Sequence, residues 1–198
     1  MISKIEIKNF KSINHLELEP KKVNIFIGGP NTGKSNILEA LGLFSALCYG
    51  NFKDFIRIQN MSNIFYDNNI SSSVEVNTDK ISLKILYKEN TFRFEYYINT
   101  TRQFTIRYDW SGNSKSKPSR DFFLKNQFKF YKYVPIEHFE NEFMDYLLPP
   151  NGKNLLNLLL THERFKKLVN EIFLKDGLRL MFNPQEKKLI LLNLKTIY

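Results

Sequence analysis

The chain has 198 residues, 42% hydrophobic and 15% aromatic, which is enough to bury the core of one or two lobes and argues against a disordered segment. Its 29 Lys and Arg against 20 Asp and Glu give a formal charge of +9, which attracts polyanions and admits nucleic acid among the expected partners. No apolar run approaches the roughly 18 residues of a membrane span and no basic-then-apolar leader opens the chain, so no membrane partner is expected. The lone Cys48 cannot form an internal disulfide and fits a buried position in a cytoplasmic protein.

Ile5 and Ile7, then Leu16 and Leu18, alternate at period two and predict two short strands of a small N-terminal sheet. Val23-Asn24-Ile25-Phe26-Ile27 is a near-continuous apolar run, the pattern of a strand buried on both faces. Directly after it stands Gly28-Gly29-Pro30-Asn31-Thr32-Gly33-Lys34-Ser35, which fits G-x-x-x-x-G-K-[S/T] at every fixed position. That spacing suits a triphosphate. Glycine allows backbone N–H groups to wrap the anion closely, Lys34 can set an ammonium against the β- and γ-phosphates, and the Ser35 hydroxyl can ligate Mg²⁺. From residue 34 a helix is expected, with Ile37, Leu38, Leu41, Phe44 and Cys48 at helical spacing and its N-terminal dipole facing the phosphates. A nucleoside triphosphate with Mg²⁺ is the expected ligand, and ATP is the one that the resemblance described next implies.

The segment Ile5-Glu6-Ile7-Lys8-Asn9-Phe10-Lys11-Ser12-Ile13, followed by Asn24-Ile25-Phe26-Ile27-Gly28 and Gly33-Lys34-Ser35-Asn36-Ile37-Leu38-Glu39-Ala40-Leu41, resembles the opening of the SMC/RecF/OLD group of ABC-type ATPases. The resemblance is specific over residues 2 to 47. It continues more weakly through Leu148-Pro149-Pro150-Asn151-Gly152-Lys153-Asn154-Leu155, similar to a segment of AAA-type ATPases from bacterial defence and repair loci. It implies an α/β P-loop NTPase fold, a partial ABC-type head. Nucleotide contacts are implied for Gly28 to Asn36 and for Lys11, and Gln59 falls where ABC proteins carry a Q-loop glutamine reaching Mg²⁺ or the attacking water. A plain loop glutamine is the alternative for Gln59.

Beyond the helix, Val74 and Val76; Ile81, Leu83, Ile85 and Tyr87; Phe92, Phe94, Tyr96 and Ile98; and Phe104, Ile106 and Tyr108 predict an antiparallel meander over 70–109, as in an ABC β-subdomain. Residues 111–119 have no apolar side chain and read as a surface loop. Lys115, Lys117, Arg120, Lys125, Lys129 and Lys132, interleaved with Phe122, Phe123, Phe128 and Phe130, form the best candidate nucleic-acid surface; a solvated loop and ordinary strand is the alternative. A strand is expected over 128–134, a short helix carrying Phe139, Phe143, Met144 and Leu147, and an amphipathic helix carrying Phe165, Leu168, Val169, Ile172 and Phe173 that ends at Asp176-Gly177. A hairpin around Asn183-Pro184 closes the pattern. The division expected is a lobe over 1–135 and its helical and hairpin extension over 136–198.

The resembled ATPases hydrolyse ATP with a Walker B strand ending in Asp-Glu, a serine-glycine signature and a switch histidine. No Asp-Glu pair occurs here, Ile172-Phe173-Leu174-Lys175-Asp176-Gly177 lacks the glutamate, and Ser111-Gly112 lies in the polar loop. His15, His138 and His162 read as ordinary polar residues. The chain is therefore expected to be an N-terminal ATPase lobe, completed by a C-terminal half or partner subunit and prone to homo- or hetero-oligomerisation. Three functions stay open: an ATPase half-site in DNA repair or antiphage defence, a nucleotide-sensing regulatory module, and a nucleic-acid-binding protein with a vestigial phosphate loop.

Overall fold

The computed structural model describes residues 2–49, 52–114, 128–136 and 138–193, which divide into two compact units, Met1–Phe130 and Tyr131–Tyr198. In the first unit the period-two segments become β1 (Ile5–Phe10), β2 (Ile13–Leu18), β3 (Val74–Thr78), β4 (Ile81–Lys88), β5 (Thr91–Ile98) and β6 (Thr101–Tyr108). The meander is present as expected. Glu89 and Asn90 turn β4 into β5 with positive φ of 53° and 56°, the backbone a two-residue hairpin turn needs to match strand twist. The N-terminal hairpin does not form a sheet of its own, which corrects the sequence reading. Ile7 of β1 pairs with Val76 of β3, so all six strands join in the order β2-β1-β3-β4-β5-β6. Alternation at period two gave the face of each strand but not which strand it would meet.

One face of this sheet buries Ile5, Ile7, Val74, Val76, Leu83, Ile85, Phe92, Phe94 and Tyr96. Against it lies α1 (Lys34–Tyr49), with Phe44 edge-on to Tyr96 at 6.2 Å between ring centroids. The short helix α2 (Phe52–Phe55) adds Phe52 edge-on to Phe94 at 5.2 Å. Each such fully buried Phe, Leu or Ile contributes roughly 1.5–3 kcal/mol. From Glu39 to Cys48, α1 is buried almost all round, as a helix apolar on every side must be.

Two predicted strands do not form. Val23–Ile27 has no strand hydrogen bonds, and Val23, Ile25 and Ile27 are 74%, 78% and 89% exposed. A strand buried on both faces needs strand neighbours at its edges, and among the described residues none pairs with this segment. Residues 128–134 are also irregular. The Phe130 N–H donates to the Ser45 hydroxyl of α1 at 3.1 Å and the Lys132 N–H to the Pro150 carbonyl at 2.8 Å, so these donors are spent on a helix side chain and a turn. Phe128 and Phe130 serve the core instead, Phe128 resting 4.8 Å from Phe44 between ring centroids.

The second unit carries α3 (Leu155–Thr161), α4 (Glu163–Lys175) and the antiparallel hairpin β7 (Leu178–Asn183) and β8 (Lys188–Asn193). The amphipathic helix and closing hairpin are as expected, with Gly177 at φ 71° ending α4. The short helix around Phe139 to Leu147 is absent. Its backbone is claimed elsewhere: Phe139 N–H bonds the Lys187 carbonyl and Glu140 N–H the Lys153 carbonyl. Downstream, buried Asn154 organises the turn before α3, accepting from the Leu148 N–H at 2.7 Å and donating to the Tyr146 carbonyl at 3.0 Å.

Candidate nucleotide-binding site

Gly28 to Ser35 leads into the N-terminus of α1, where the first backbone N–H groups of any helix lack partners within it and attract an anion. The loop turns through positive φ at Asn31 (59°) and Gly33 (86°), and Gly28 sits at φ 159°. The 86° at Gly33 is strained for any residue with a β-carbon. Such an atom would also stand 3.3 Å from the Ser12 hydroxyl, a tight contact that adds to the backbone cost of any substitution there. The Gly33 carbonyl accepts from the N–H groups of Asn36 and Ile37 at 2.9 and 3.2 Å, fixing the first turn.

Within the loop the Lys34 ammonium donates to the Gly29 carbonyl and, at 3.0 Å, to the Thr32 hydroxyl, while that hydroxyl donates to the Gly29 carbonyl at 3.0 Å. Pro30 holds the loop between these two contacts with its φ fixed by the ring. The cation is thus already folded into the concave side of the loop, where a phosphate would offer it charged acceptors. The donor set fits Mg²⁺ with a nucleoside triphosphate: exposed loop N–H groups, one ammonium and the Ser35 hydroxyl at the start of α1.

Asn36 donates its side-chain amide to the Ser12 hydroxyl at 2.7 Å, tying the β1–β2 turn to α1. One turn further along the helix, Glu39 does the same with charge. Its carboxylate accepts from the Lys11 ammonium and, at 2.5 Å, from Arg57 Nε; the Lys11 and Glu39 side chains are 12% and 7% exposed. Lys11 also donates to the Arg57 carbonyl at 2.7 Å. Burial pushes the Lys11 ammonium below the usual lysine range, and the Glu39 hydrogen bond opposes that shift. The Lys11 ammonium is therefore held beside the second turn of α1 rather than at the loop itself.

Gln59 lies exposed before a short 3-10 turn (Met61–Ile64), its backbone N–H bonded to the Asn63 side chain at 3.0 Å. Of the basic aromatic cluster, Lys115, Lys117, Arg120, Phe122, Phe123 and Lys125 lie outside the described residues. Ser12, Glu39 and Arg57 carry roles that residue patterns did not assign. A signal existed for Glu39, a carboxylate inside an otherwise apolar helix, because such a residue is rarely buried without a partner.

A family model for the AAA ATPase domain matches residues 1–190, and the chain belongs to that family. It is a nucleotide-binding domain of the ATPase type, within the P-loop NTPase group. A stretch of 59 residues is 49% identical to an uncharacterized protein, MJECL10, of Methanocaldococcus jannaschii, and the match covers 29% of this chain and 26% of that protein. The chain thus matches only about a quarter of that relative's length. No helix among the described residues is long and apolar enough to cross a membrane.

Proposed function

We propose that this chain is the ATP-binding lobe of an SMC/RecF/OLD-like ATPase acting in DNA repair or antiphage defence, and that it is hydrolytically incomplete by itself. The observation that carries the nucleotide is the loop at Gly28 to Ser35, curled around the Lys34 ammonium at the start of α1. Gly28, Gly29, Pro30, Asn31, Thr32, Gly33, Lys34 and Asn36 would hold the phosphates, and Ser35 would ligate the Mg²⁺. Bound Mg²⁺ would neutralise charge on the phosphates. Lys11 and Arg57 together outweigh the single Glu39 charge and would leave net positive potential beside the second turn of α1, and Gln59, exposed before the 3-10 turn, would be the glutamine that reaches the metal or the attacking water. Incompleteness is supported by the absence of any Asp-Glu pair in the 198 residues, since in this reading an acidic pair must hold the Mg²⁺ shell and activate water. A C-terminal half or partner subunit, in a homo- or hetero-oligomer, would supply it.

Calorimetric titration with ATP tests the reading. Mg²⁺-dependent binding should appear in the wild-type chain and weaken at least tenfold in Lys34→Ala, with turnover by the isolated chain below about 1 per second, the low end for ordinary enzymes. Absence of binding, or equal binding by Lys34→Ala, rejects it. The same absence of an acidic pair supports a second reading, a nucleotide-sensing regulatory subunit, and turnover restored by an added C-terminal partner separates the two. The charge of +9 favours a third, nucleic-acid binding with a vestigial loop, which ATP binding lost in Lys34→Ala would reject.

A further inference from the structure

The second unit leaves one side of α4 uncovered. The apolar residues of this helix spread over more than one side, and the hairpin takes only part of the surface: Lys166, Asn170 and Leu174 line the groove against Leu180 to Phe182, with the Lys166 ammonium 5.2 Å from the centre of the Phe182 ring. Phe165, Leu168 and Ile172 stand outside that contact at 42%, 53% and 53% exposure. Spaced by three and four residues, they form one stripe along two turns of the helix. We propose that this stripe is the contact with a second copy of the chain, the two α4 helices lying antiparallel about a two-fold axis beside Leu168. The inference is independent of the nucleotide, since no residue from Gly28 to Ser35 takes part.

Charge chooses both the occupant and its direction. Arg164 and Glu171 border the stripe on the same flank, two helical turns apart, and both are exposed. Among the described residues neither forms an ion pair within the chain. A two-fold axis perpendicular to the helix beside Leu168 sets Arg164 of one copy within one residue, about 1.5 Å of rise, of the level of the partner's Glu171. Such an axis keeps the same flank of both helices on one side, so Arg164 meets the partner's Glu171 and Glu171 meets the partner's Arg164. The same axis brings Leu168 onto the partner's Leu168 and Phe165 beside the partner's Ile172. The surface is therefore complementary to itself, as an isologous interface must be. A parallel pair would set the charged flank against the flank carrying Val169 and join no opposite charges. A wholly acidic or wholly basic partner helix would satisfy one of the two charges and repel the other.

The contact is small, which sets its strength. The 13 residues of α4 span about 20 Å, and one such helix per copy covers less than the roughly 800 Å² that a standard interface buries on each partner. The dimer is therefore reversible, formed at raised concentration or where another contact already holds two copies together. Its specificity comes from the charges. Reversing one of them places like charges opposite each other twice in the symmetric pair, so a single substitution acts at two contacts.

Sedimentation equilibrium of the 198-residue chain without nucleotide, over a hundredfold range of concentration, tests the pairing. Every protein carries Ile25→Lys, which breaks the exposed row at residues 23–27 and leaves α4 untouched. This parent should form a dimer. Arg164→Glu and Glu171→Arg should each weaken it by at least about tenfold, because each sets like charges face to face. An equimolar mixture of the two should recover the parent's affinity, since every contact across the axis is then between opposite charges, and that recovery also shows both variants to be folded. Leu168→Glu should abolish the dimer by placing two carboxylates against each other at the axis. The pairing is overturned by a parent that stays monomeric, by charge-reversed variants that dimerise alone as well as the parent does, or by a mixture that associates no better than either component.

Discussion

The Lys11 ammonium and the Glu39 carboxylate form an ion pair in which both side chains are nearly buried, joining the β1–β2 turn to the second turn of α1. Arg57 adds a second cation to the same carboxylate from an exposed position. Removing the acid strands a buried charge. Glu39→Gln should therefore lower the unfolding free energy by about 3–5 kcal/mol, the cost of breaking a buried pair from one side. The double variant Lys11→Met with Glu39→Leu should regain most of that, because two apolar chains leave no unpaired charge. Urea unfolding of the single and double variants measures both, and equal losses in the two would reject a paired role.

Gly42 stands in the middle of α1, where alanine normally stabilises a helix by about 0.5–1 kcal/mol relative to glycine. Here a β-carbon would meet the Phe130 ring at 3.0 and 3.1 Å. The ring has little room to retreat, since the Phe130 N–H is bonded to Ser45 and the ring packs 6.3 Å from that of Phe55 between centroids. Gly42→Ala should destabilise by about 1–3 kcal/mol through overpacking. In a Phe130→Ala background the same substitution should become stabilising. Thermal melts of the four proteins decide it, and no change of sign would show that helix propensity, not the ring, governs position 42.

How far these contacts could be read in advance depends on what carries them. The phosphate loop, α1, the meander and α4 are legible because spacing alone specifies them: G-x-x-x-x-G-K-S fixes a turn and a helix start, and alternation such as Phe92, Phe94, Tyr96 fixes a strand face. Val23–Ile27 departs from its pattern for the complementary reason, since an apolar run states that a segment prefers burial and not that a neighbour is present to bury it. Residues 128–134 and 139–147 depart from their patterns because their backbone donors go to Ser45, Pro150, Lys187 and Lys153, residues remote in sequence. Glu39 and Ser12 act through partners 28 and 24 positions away, which no local pattern encodes.

Glu6 ties acid stability to the outer face of the sheet. Its hydrogen bond from Lys8, with others from Asn77 and His15, brings the carboxyl from 4.5 down to about 2. The unfolded chain therefore binds a proton at this residue at higher pH than the folded one. The resulting stabilisation is complete above about pH 4.5 and is lost as pH falls from 4.5 towards 2. Glu6→Gln should flatten that part of the curve. A residual slope should stay, because backbone N–H groups of Ser3 and Asn113 hold Asp79 and Asp109 below the usual aspartate range. Unfolding measured from pH 6 to pH 2.5 in both proteins checks this, and coincident acid limbs would contradict it.

Ile25 and Ile7 test where the apolar segments of the first unit lie. Both are isoleucines in runs that read as strands, yet Ile7 is fully buried in β1 against α1 and the sheet, whereas Ile25 stands out from an irregular segment. Truncating a buried isoleucine removes its transfer free energy and leaves a cavity, so Ile7→Ala should cost about 2–5 kcal/mol. Ile25→Ala removes a side chain that is already hydrated and should fall within about 0.5 kcal/mol of the wild type. Val23, Ile25 and Ile27 alternate outward around half-buried Phe26, and an apolar row of this kind favours association. Ile25→Lys should accordingly reduce self-association in sedimentation without lowering the melting temperature. If Ile25→Ala instead destabilises as much as Ile7→Ala in the monomer, residues 23–27 are a buried strand after all.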